Sequence, residues 1–398
     1  MQFDSPILIV EINYSNYIFV AAKYNENQSL QIVEKIITSS EGISNNKITN
    51  IDEAQECIKK NISILEDKLS YVFKDVIILI DNFDYTCLNF SGFKKLNGSQ
   101  LIKENITYIL NSLKSNVIEN EKDKTILHIF NSKNILDGTV VENIPIGLFG
   151  DFYCHDLTFF SIGNNDFKNI NQIFKKNNLN IKKILLKDYV EGIELIDQNE
   201  DNEKFFKINL GRTNSQISFF DKSSFRYSER FNFGSNMIIK DIEKVCAINN
   251  QTIQKILFDK PFQNKKYNED EFFEEKYFTN INFRKIRKKL IHDIADSRIE
   301  EMIDLIFNKN INIKNLKQKD DKIFLKIEDN LISENFEVIF KNYFLKKDNF
   351  QFKLVEPDED KLICNAAKLS FFGWRKEAIP ITKTRSSLIT RIFNSIFN

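Results

Sequence analysis

The sequence predicts an α/β fold that contains two copies of a β-β-β-α unit. First, the stretch from Pro6 to Tyr24 is rich in β-branched and aromatic residues and is broken at Asn13 to Asn16, as in a β-hairpin. Second, the stretch from Phe205 to Gly234 has the same character, with a break at Gly211 to Asn214. Third, a segment with helical spacing follows each set of strands. This order of elements, present twice in one chain, indicates an internal duplication.

The first copy continues with a third strand over 30–43. A helix is expected over 50–73, where apolar residues recur at helical spacing: Ala54, Ile58, Ile62, Leu65 and Leu69. Residues 75–81 form a short, almost entirely apolar run, which is typical of a buried strand. The first copy therefore reads β-β-β-α and is followed by a further strand.

A smaller unit and a second α/β stretch separate the two copies. The smaller unit is expected to contain a strand over 86–95, a helix over 100–113, a strand over 125–131 and a turn-rich segment over 137–151. The α/β stretch is expected to contain a strand over 159–163, a helix over 165–178 and a strand over 181–189.

The second copy is expected to end in a helix over 235–248. The charged segment 261–275 reads as a solvated insertion, and a long helix is expected over 286–307. A strand over 321–329 follows, and residues 371–374 are expected to close the last strand.

Composition limits the class of protein. The 398 residues are 42% hydrophobic, which is enough for several cores and favours two to four domains. Lys plus Arg and Asp plus Glu both number 56, so no net charge directs the chain to nucleic acid. The five cysteines are far apart and the N-terminus has no cationic, apolar leader, which together predict a reducing, cytoplasmic location. The three histidines are isolated from one another, so we expect no metal site.

The last residues form an amphipathic pattern. On a helix, one half of the cylinder carries only apolar side chains: Leu388, Ile389, Ile392, Phe393, Ile396 and Phe397. The stretch is too short to span a bilayer, so it must pack on the protein's own core, in a partner's groove or on a membrane surface. Basic residues on or beside it, Lys383, Arg385 and Arg391, favour an anionic lipid surface.

Several motifs then occur in a recognisable order. Ile126-Leu127-His128 is followed by Asp137-Gly138 and by the segment from Asn143 to Gly150. Further on come Asn232 to Asn236 with Lys240-Asp241-Ile242, and then the helix from Ile291 to Glu301. Together with the duplicated unit and the terminal helix, these motifs resemble the bacterial cell-division protein FtsA of the actin and Hsp70 superfamily.

This resemblance implies an actin-like (ribonuclease H-like) core, with two lobes around a nucleotide cleft and an FtsA-type inserted subdomain. The implied domains are 1–83 with 163–195 as the first core subdomain, 84–162 as the inserted subdomain, 196–242 with 318–375 as the second core subdomain, 243–317 as a small partner-binding subdomain, and 376–398 as a linker with a membrane-targeting helix.

The resemblance also implies ATP with Mg²⁺ as the cofactor, held where two hairpin turns bring backbone N–H groups and aspartates to the phosphates. The corresponding positions in this chain are Glu11, Asn13, Ser15, Asn209, Gly211, Arg212, Thr213 and Gly234. Both aspartates of the second turn are amides here, Tyr14 is bulky, and 324–330 lacks the expected glycines. We therefore expect weak or no ATP binding and no enzyme activity beyond a vestigial ATPase.

By the same resemblance, Arg298 and Glu301 would contact the C-terminal peptide of FtsZ, the tubulin-like division protein. The apolar tail residues, with Arg385 and Arg391, would bind an anionic membrane. The protein would self-associate, contact downstream division proteins and act on the inner face of the cell membrane at the division site. Two alternatives remain open: another bacterial actin-like membrane-assembly protein of the pilus type, and an ATP-dependent enzyme of the same superfamily.

Overall fold

The structure, a computed structural model, describes residues 5–25, 30–44, 47–81, 83–198, 203–263, 267–278, 282–318, 320–348, 350–356 and 358–378. In chain order its strands are β1 (Ile7–Ile12), β2 (Asn16–Tyr24), β3 (Leu30–Ser39), β4 (Ile43–Ser44), β5 (Lys47–Ile48), β6 (Asp75–Ile80), β7 (Tyr85–Lys95), β8 (Lys124–Leu136), β9 (Thr139–Val141), β10 (Phe152–Gly163), β11 (Asn180–Leu186), β12 (Phe205–Leu210), β13 (Ser215–Asp221), β14 (Ser224–Phe231), β15 (Lys322–Ile327) and β16 (Gln351–Leu354). Its helices are α1 (Ile51–Leu69), α2 (Lys103–Asn120), α3 (Asn164–Lys176), α4 (Lys187–Gln198), α5 (Asn236–Cys246), α6 (Asn250–Phe258), α7 (Lys288–Ile303), α8 (Asn330–Asp348) and α9 (Glu359–Phe372).

Two five-stranded sheets have the same topology. In the first, the strands lie in the order β11-β6-β1-β2-β3, and in the second in the order β14-β13-β12-β15-β16. In each sheet the three consecutive strands are antiparallel, and the later strands join in parallel. The predicted duplication is therefore confirmed. We call the part built on the first sheet the first lobe and the part built on the second sheet the second lobe.

The inserted unit between the lobes has its own sheet, in the order β7-β10-β8-β9. Helix α2 packs over one face of it, and Gly92 on β7 allows this close approach, since a Cβ there would lie 2.4 Å from the Ile109 side chain. A small apolar cluster forms between α2 and the sheet, whereas each lobe has a large core of its own.

Local signals explain where the elements begin and end. Helix α1 begins after Asn50, whose side chain accepts hydrogen bonds from the N–H groups of Asp52 and Glu53. It ends before Ser70, which adopts a left-handed conformation with φ 48°, so the helix is shorter than predicted.

Three sequence predictions about elements are wrong. The segment predicted as a strand over 181–189 turns into helix α4 at Lys187. The segment 371–374 contains the end of helix α9, which begins after the N-cap Asp358, and is not a strand. The charged segment 261–275 is not wholly solvated, because Phe262 and Phe273 are buried in the core of the second lobe.

The C-terminal part of the described chain also departs from the prediction. Helix α9, which we grouped with the second core subdomain, buries Leu362, Ala366 and other residues in the core of the first lobe. The residues after it begin the predicted linker, yet they pair with β8: the N–H of Asn131 donates to Lys376 O at 2.7 Å, and the N–H of Ala378 donates to Ile129 O at 2.7 Å. The first residues of that linker are therefore part of the folded body.

Candidate functional site: a cleft closed by the chain's own side chains

The first hairpin turn, between β1 and β2, uses its own N–H groups. The Asn13 side-chain oxygen accepts hydrogen bonds from the Ser15 N–H at 2.9 Å, the Ser15 hydroxyl at 3.0 Å and the Asn16 N–H at 2.7 Å. An asparagine that caps a turn in this way is a common local arrangement. As a result, two of the backbone donors at the turn that we predicted to meet phosphate, the N–H groups of Ser15 and Asn16, already have a partner.

Lys187, at the start of α4, lies next to this turn. Its ammonium is 2.7 Å from Glu11 Oε1 on β1 and 3.1 Å from Asp81 Oδ2 after β6. Burial alone would lower the pKa of Lys187, but the charges of Asp81, Glu11 and Glu191 outweigh burial and raise it well above its usual value. The lysine is therefore charged and pairs with both carboxylates.

The next carboxylates of α4 point to the second lobe. Lys207 on β12 lies 2.8 Å from Asp188 Oδ1 and 2.5 Å from Glu191 Oε2, and Lys326 on β15 lies 2.6 Å from Glu191 Oε1. Although burial opposes ionisation, Lys207, Lys326 and Lys187 hold the pKa of Glu191 well below its usual value. Glu191 thus joins two lysines of the second sheet to a helix of the first lobe.

The amide side chain of Asn209 on β12 hydrogen-bonds to the same network. Its Nδ2 group donates to Asp188 Oδ1 at 3.1 Å and to Glu191 Oε2 at 3.2 Å. An aspartate at this position would instead face two carboxylates, which repel it. Because Asn209 is neutral at this predicted cofactor position, it can donate to both carboxylates of α4 without repelling them.

The second hairpin turn packs against the start of α5. The N–H of Ser235 donates to Gly211 O at 2.9 Å, and the N–H of Asn236 donates to Arg212 O at 3.0 Å. Gly234 is required by this contact, because a Cβ there would lie 2.3 Å from Gly211 O. The predicted glycine position 234 thus has a structural reason that involves no ligand.

Tyr14 lies between the two turns. Burial raises its pKa, and so do the carboxylates of Glu328 and Asp81, whereas a hydrogen bond with Thr213 and the charge of Arg212 lower it. These neighbours come from both lobes, so the ring fills space between the turns. Arg212 and Thr213 are themselves exposed.

A cavity of about 360 Å³ remains beside this network. Carboxyl groups outnumber lysines by eight to three along its walls, and the acidic residues include Glu194, Glu356 and Asp358. A separate pocket of about 160 Å³ lies beyond the second turn, between Arg212, α5 and the start of α8. Ligand sites for drug-sized molecules usually measure about 300 to 1,000 Å³, so the second pocket is too small for a nucleoside.

These residues do not fit ATP with Mg²⁺. Magnesium requires oxygen ligands in a near-octahedral arrangement, but an ammonium lies between the two carboxylates at the first turn. The remaining cavity is predominantly acidic and would repel a polyphosphate. Within the part of the chain that the structure describes, no group of three or more His, Cys, Asp and Glu side chains could hold a metal ion.

The comparisons with known proteins find relatives in sequence and a neighbour in fold. No family model matches the chain. The cell division protein FtsA of Buchnera aphidicola (subspecies Acyrthosiphon pisum, strain APS) is 21% identical over 320 residues, which cover 79% of this chain and 75% of that protein. FtsA of Neisseria meningitidis serogroup B is 21% identical over 246 residues, or 61% of this chain and 58% of that protein. A solved structure of the PilM-PilN type IV pilus biogenesis complex matches with a TM-score of 0.56 at 7% identity, over 92% of this chain and 98% of that one.

The chain is a divergent FtsA-like protein with an actin-like fold. All eight predicted cofactor residues of this FtsA-like protein lie at the two hairpin turns, on the strands that lead to them or at the start of α5. Sequence reasoning missed the residues that fill the cleft: Asp81, Lys187, Asp188, Glu191, Lys207 and Lys326. Lys207 lies within the apolar run of β12, and a lysine in such a run indicates a buried ion pair.

The predicted FtsZ-binding pair of the FtsA-like protein lies on the surface of the second lobe. The Arg298 guanidinium on α7 donates hydrogen bonds to Asp241 on α5 and to Glu301 on its own helix. Glu301 is the more exposed partner, with 56% of its side chain accessible. The arginine is therefore held in place by one neighbour in α5 and one exposed neighbour.

The predicted membrane residues of the FtsA-like protein, from Arg385 to Phe397, lie outside the described residues. No helix within the described residues is both long and apolar enough to cross a membrane.

Proposed function

We propose that this protein is a cell-division adaptor that tethers FtsZ filaments to the inner face of the cell membrane. The observation that carries the proposal is the similarity to FtsA over 79% of the chain, on an actin-like body. The proposal includes self-association and contact with downstream division proteins, as the resemblance implies.

The FtsZ peptide would bind at Arg298 and Glu301. Since an arginine guanidinium binds carboxylates in a bidentate fashion, a carboxylate of the peptide would replace the exposed Glu301 while Asp241 keeps the arginine oriented. For this exchange only the contact between Arg298 and the exposed Glu301 has to break.

The membrane would be bound by the apolar face formed by Leu388, Ile389, Ile392, Phe393, Ile396 and Phe397, with Arg385 and Arg391 beside anionic lipid. One short amphipathic helix binds lipid reversibly. Several copies on one filament share an effective concentration, which raises the overall affinity about 100-fold or more.

The adaptor would act without ATP hydrolysis. Lys187 lies between Glu11 and Asp81. The Asn13 side chain accepts hydrogen bonds from the Ser15 and Asn16 N–H groups of the first turn. An enzyme of the same superfamily needs these groups free for its substrate.

Flotation of FtsZ filaments with anionic liposomes tests the proposal. We expect FtsZ to float only when the full-length chain is present. A chain cut after Arg385 should stay with FtsZ at the bottom of the gradient, and Phe393→Glu should behave in the same way because it places a charge on the apolar face.

The double variant Arg298→Glu, Glu301→Lys separates the two activities. It should float by itself but leave FtsZ behind. Lys309→Glu is a matched control, since Lys309 is an exposed partner of Asp304 just beyond α7, and it should carry FtsZ upward. Flotation of the truncated chain, or undiminished FtsZ recovery with the double variant, would contradict the corresponding half of the proposal.

A further inference from the structure

We propose that the Lys187 ammonium is a permanent substitute for a bound cation, and that side chains of the protein hold the two lobes together without any nucleotide. This inference concerns the cleft and does not depend on FtsZ or membrane binding.

The first observation is the position of Lys187 between two carboxylates of the first lobe, one on β1 and one directly after β6. Its distances of 2.7 Å to Glu11 and 3.1 Å to Asp81 are those of direct ion pairs, and the Glu11 side chain is only 2% exposed. A lysine in the first turn of a helix is unfavourable for the helix dipole. The two carboxylates offset this cost, so the position is stabilised by charge pairing.

The second observation is that α4 continues the same network into the second lobe. Asp188 and Glu191 pair with Lys207 and Lys326, which lie on adjacent parallel strands of the second sheet. One helix therefore joins both sheets through buried charges. Separating the lobes here would leave several of these charges unpaired, which is strongly unfavourable in a buried site.

The third observation is a column of phenylalanine rings that crosses from the inserted unit into the second lobe. Phe160 on β10 stacks on Phe225 at 4.1 Å between centroids, Phe225 on Phe220 at 4.7 Å, and Phe220 on Phe205 at 4.9 Å. Helix α4 lies directly against this column at Gly192, where a Cβ would be 1.9 Å from the Phe220 ring. A rotation of one lobe against the other would have to separate these rings.

The fourth observation is a set of polar contacts made by the end of the described chain. The Trp374 indole N–H donates to Ser223 O at 2.8 Å, and Arg375 donates to the Ser223 hydroxyl at 2.7 Å. Two residues later, Glu377 bonds to His128 of the inserted unit and to Lys183 of the first lobe. Three parts of the molecule therefore meet at this segment.

These contacts determine what a nucleotide could change. A ligand shifts an equilibrium between conformations only by its difference in affinity for them. Here Glu11, Asp81 and the N–H groups of Ser15 and Asn16 are already paired in the closed arrangement, so Mg-ATP would have to displace these contacts in order to bind there. The closed arrangement is thus a constant property of the chain.

Thermal unfolding in the presence of metal tests the role of Lys187. The wild-type melting temperature should not change when 10 mM MgCl₂, alone or with ATP, replaces NaCl of equal ionic strength. Lys187→Met removes the ammonium and leaves Glu11 and Asp81 facing each other, so the melting temperature should fall by roughly 5 °C or more. Magnesium alone should then raise the melting temperature of this variant, because the two carboxylates regain a cation.

Lys182→Met is the matched control. Lys182 pairs with Asp75 at 3.2 Å on the exposed side of β11, so its removal should cost little and should create no response to magnesium. Stabilisation of the wild type by Mg-ATP would overturn the proposal. A folded Lys187→Met variant that does not respond to magnesium would overturn it as well.

Hydrogen exchange on the wild-type protein covers the case in which Lys187→Met does not fold. The Ser15 and Asn16 amides should exchange slowly without ligand, and Mg-ATP should leave their exchange rates unchanged. Rates that are fast without ligand and fall when Mg-ATP is added would show that a nucleotide closes the turn, and the proposal would then be wrong.

Discussion

Single residues decide whether the cleft binds a ligand or closes on itself. Asn13 and Lys187 are each one side chain, yet together they use the N–H groups and the carboxylates that a magnesium nucleotide would need. The sequence predicted that Asn13 lies in the turn, because the turn motif is local. It did not predict Lys187, since this residue comes 174 positions later and only the fold brings it to the turn.

The buried histidine His155 makes stability depend on pH. Its Nε2 group contacts Asn131 Oδ1 at 2.9 Å, and burial lowers its pKa to about 4, although Asp156 opposes this. The ordinary value is about 6.5. Between these values the unfolded chain binds a proton that the folded chain does not, so the free energy of unfolding falls with decreasing pH, by about 1.4 kcal/mol per pH unit.

The variant His155→Gln should remove this contribution, because glutamine still donates to Asn131 but does not titrate. Urea unfolding at pH 7, 6 and 5 measures the effect as the slope of the unfolding free energy. We expect a shallower slope in the variant than in the wild type. Equal slopes would show that His155 is protonated in the folded state as well.

At the scale of elements, the hairpin strands were predictable and helix α4 was not. In each hairpin a short run of turn residues separates two apolar strands. The local pattern alone therefore predicts β1, β2, β12 and β13. Between the run Ile184-Leu185-Leu186 and the pair Tyr189-Val190 stand only Lys187 and Asp188, and short apolar runs of this kind do not distinguish a strand from a helix. The residues from Lys187 onward are helical and pack against α9 and β11, contacts that have no local signal in the sequence.

Gly192 links α4 to the aromatic column. A methyl group at this position would overlap the Phe220 ring, so Gly192→Ala should destabilise the protein by about 1 to 3 kcal/mol despite the higher helix propensity of alanine. The double variant Gly192→Ala, Phe220→Leu should lose less than the sum of the two single variants, because leucine makes room for the methyl group. Additive losses in urea unfolding would show that the two positions do not share this contact.

At the scale of the whole molecule, the duplicated architecture could be predicted but the assignment of the C-terminal part could not. Helix α9 follows β16 of the second sheet, so chain order placed it in the second lobe, whereas its apolar face packs into the first. Long-range packing of this kind has no local signal in the sequence. The same holds for residues 376–378, which were predicted as part of a linker and yet form an isolated antiparallel bridge with β8.

The contact of Glu377 is expected to hold this segment on the body. Its carboxylate lies 2.9 Å from His128 Nδ1 and 2.7 Å from Lys183 Nζ. Glu377→Ala leaves both partners without their acceptor and should lower the free energy of unfolding by about 3 kcal/mol. Limited proteolysis should then cut after Lys376 much faster than in Lys368→Ala, a control in which an exposed ion pair with Asp197 is lost. Equal cleavage rates would mean that backbone pairing alone holds the segment.

The bridge between residues 376–378 and β8 also has a mechanical consequence. A pull on the chain beyond Ala378 acts first on the hydrogen bond between Ala378 and Ile129, then on the buried carboxylate of Glu377, and then on the bond between Lys376 and Asn131. The load therefore enters the molecule at the sheet of the inserted unit, and each bond in this series must break before the force reaches α9. Traction at the C-terminus would peel this edge open one bond at a time while both lobes stay intact.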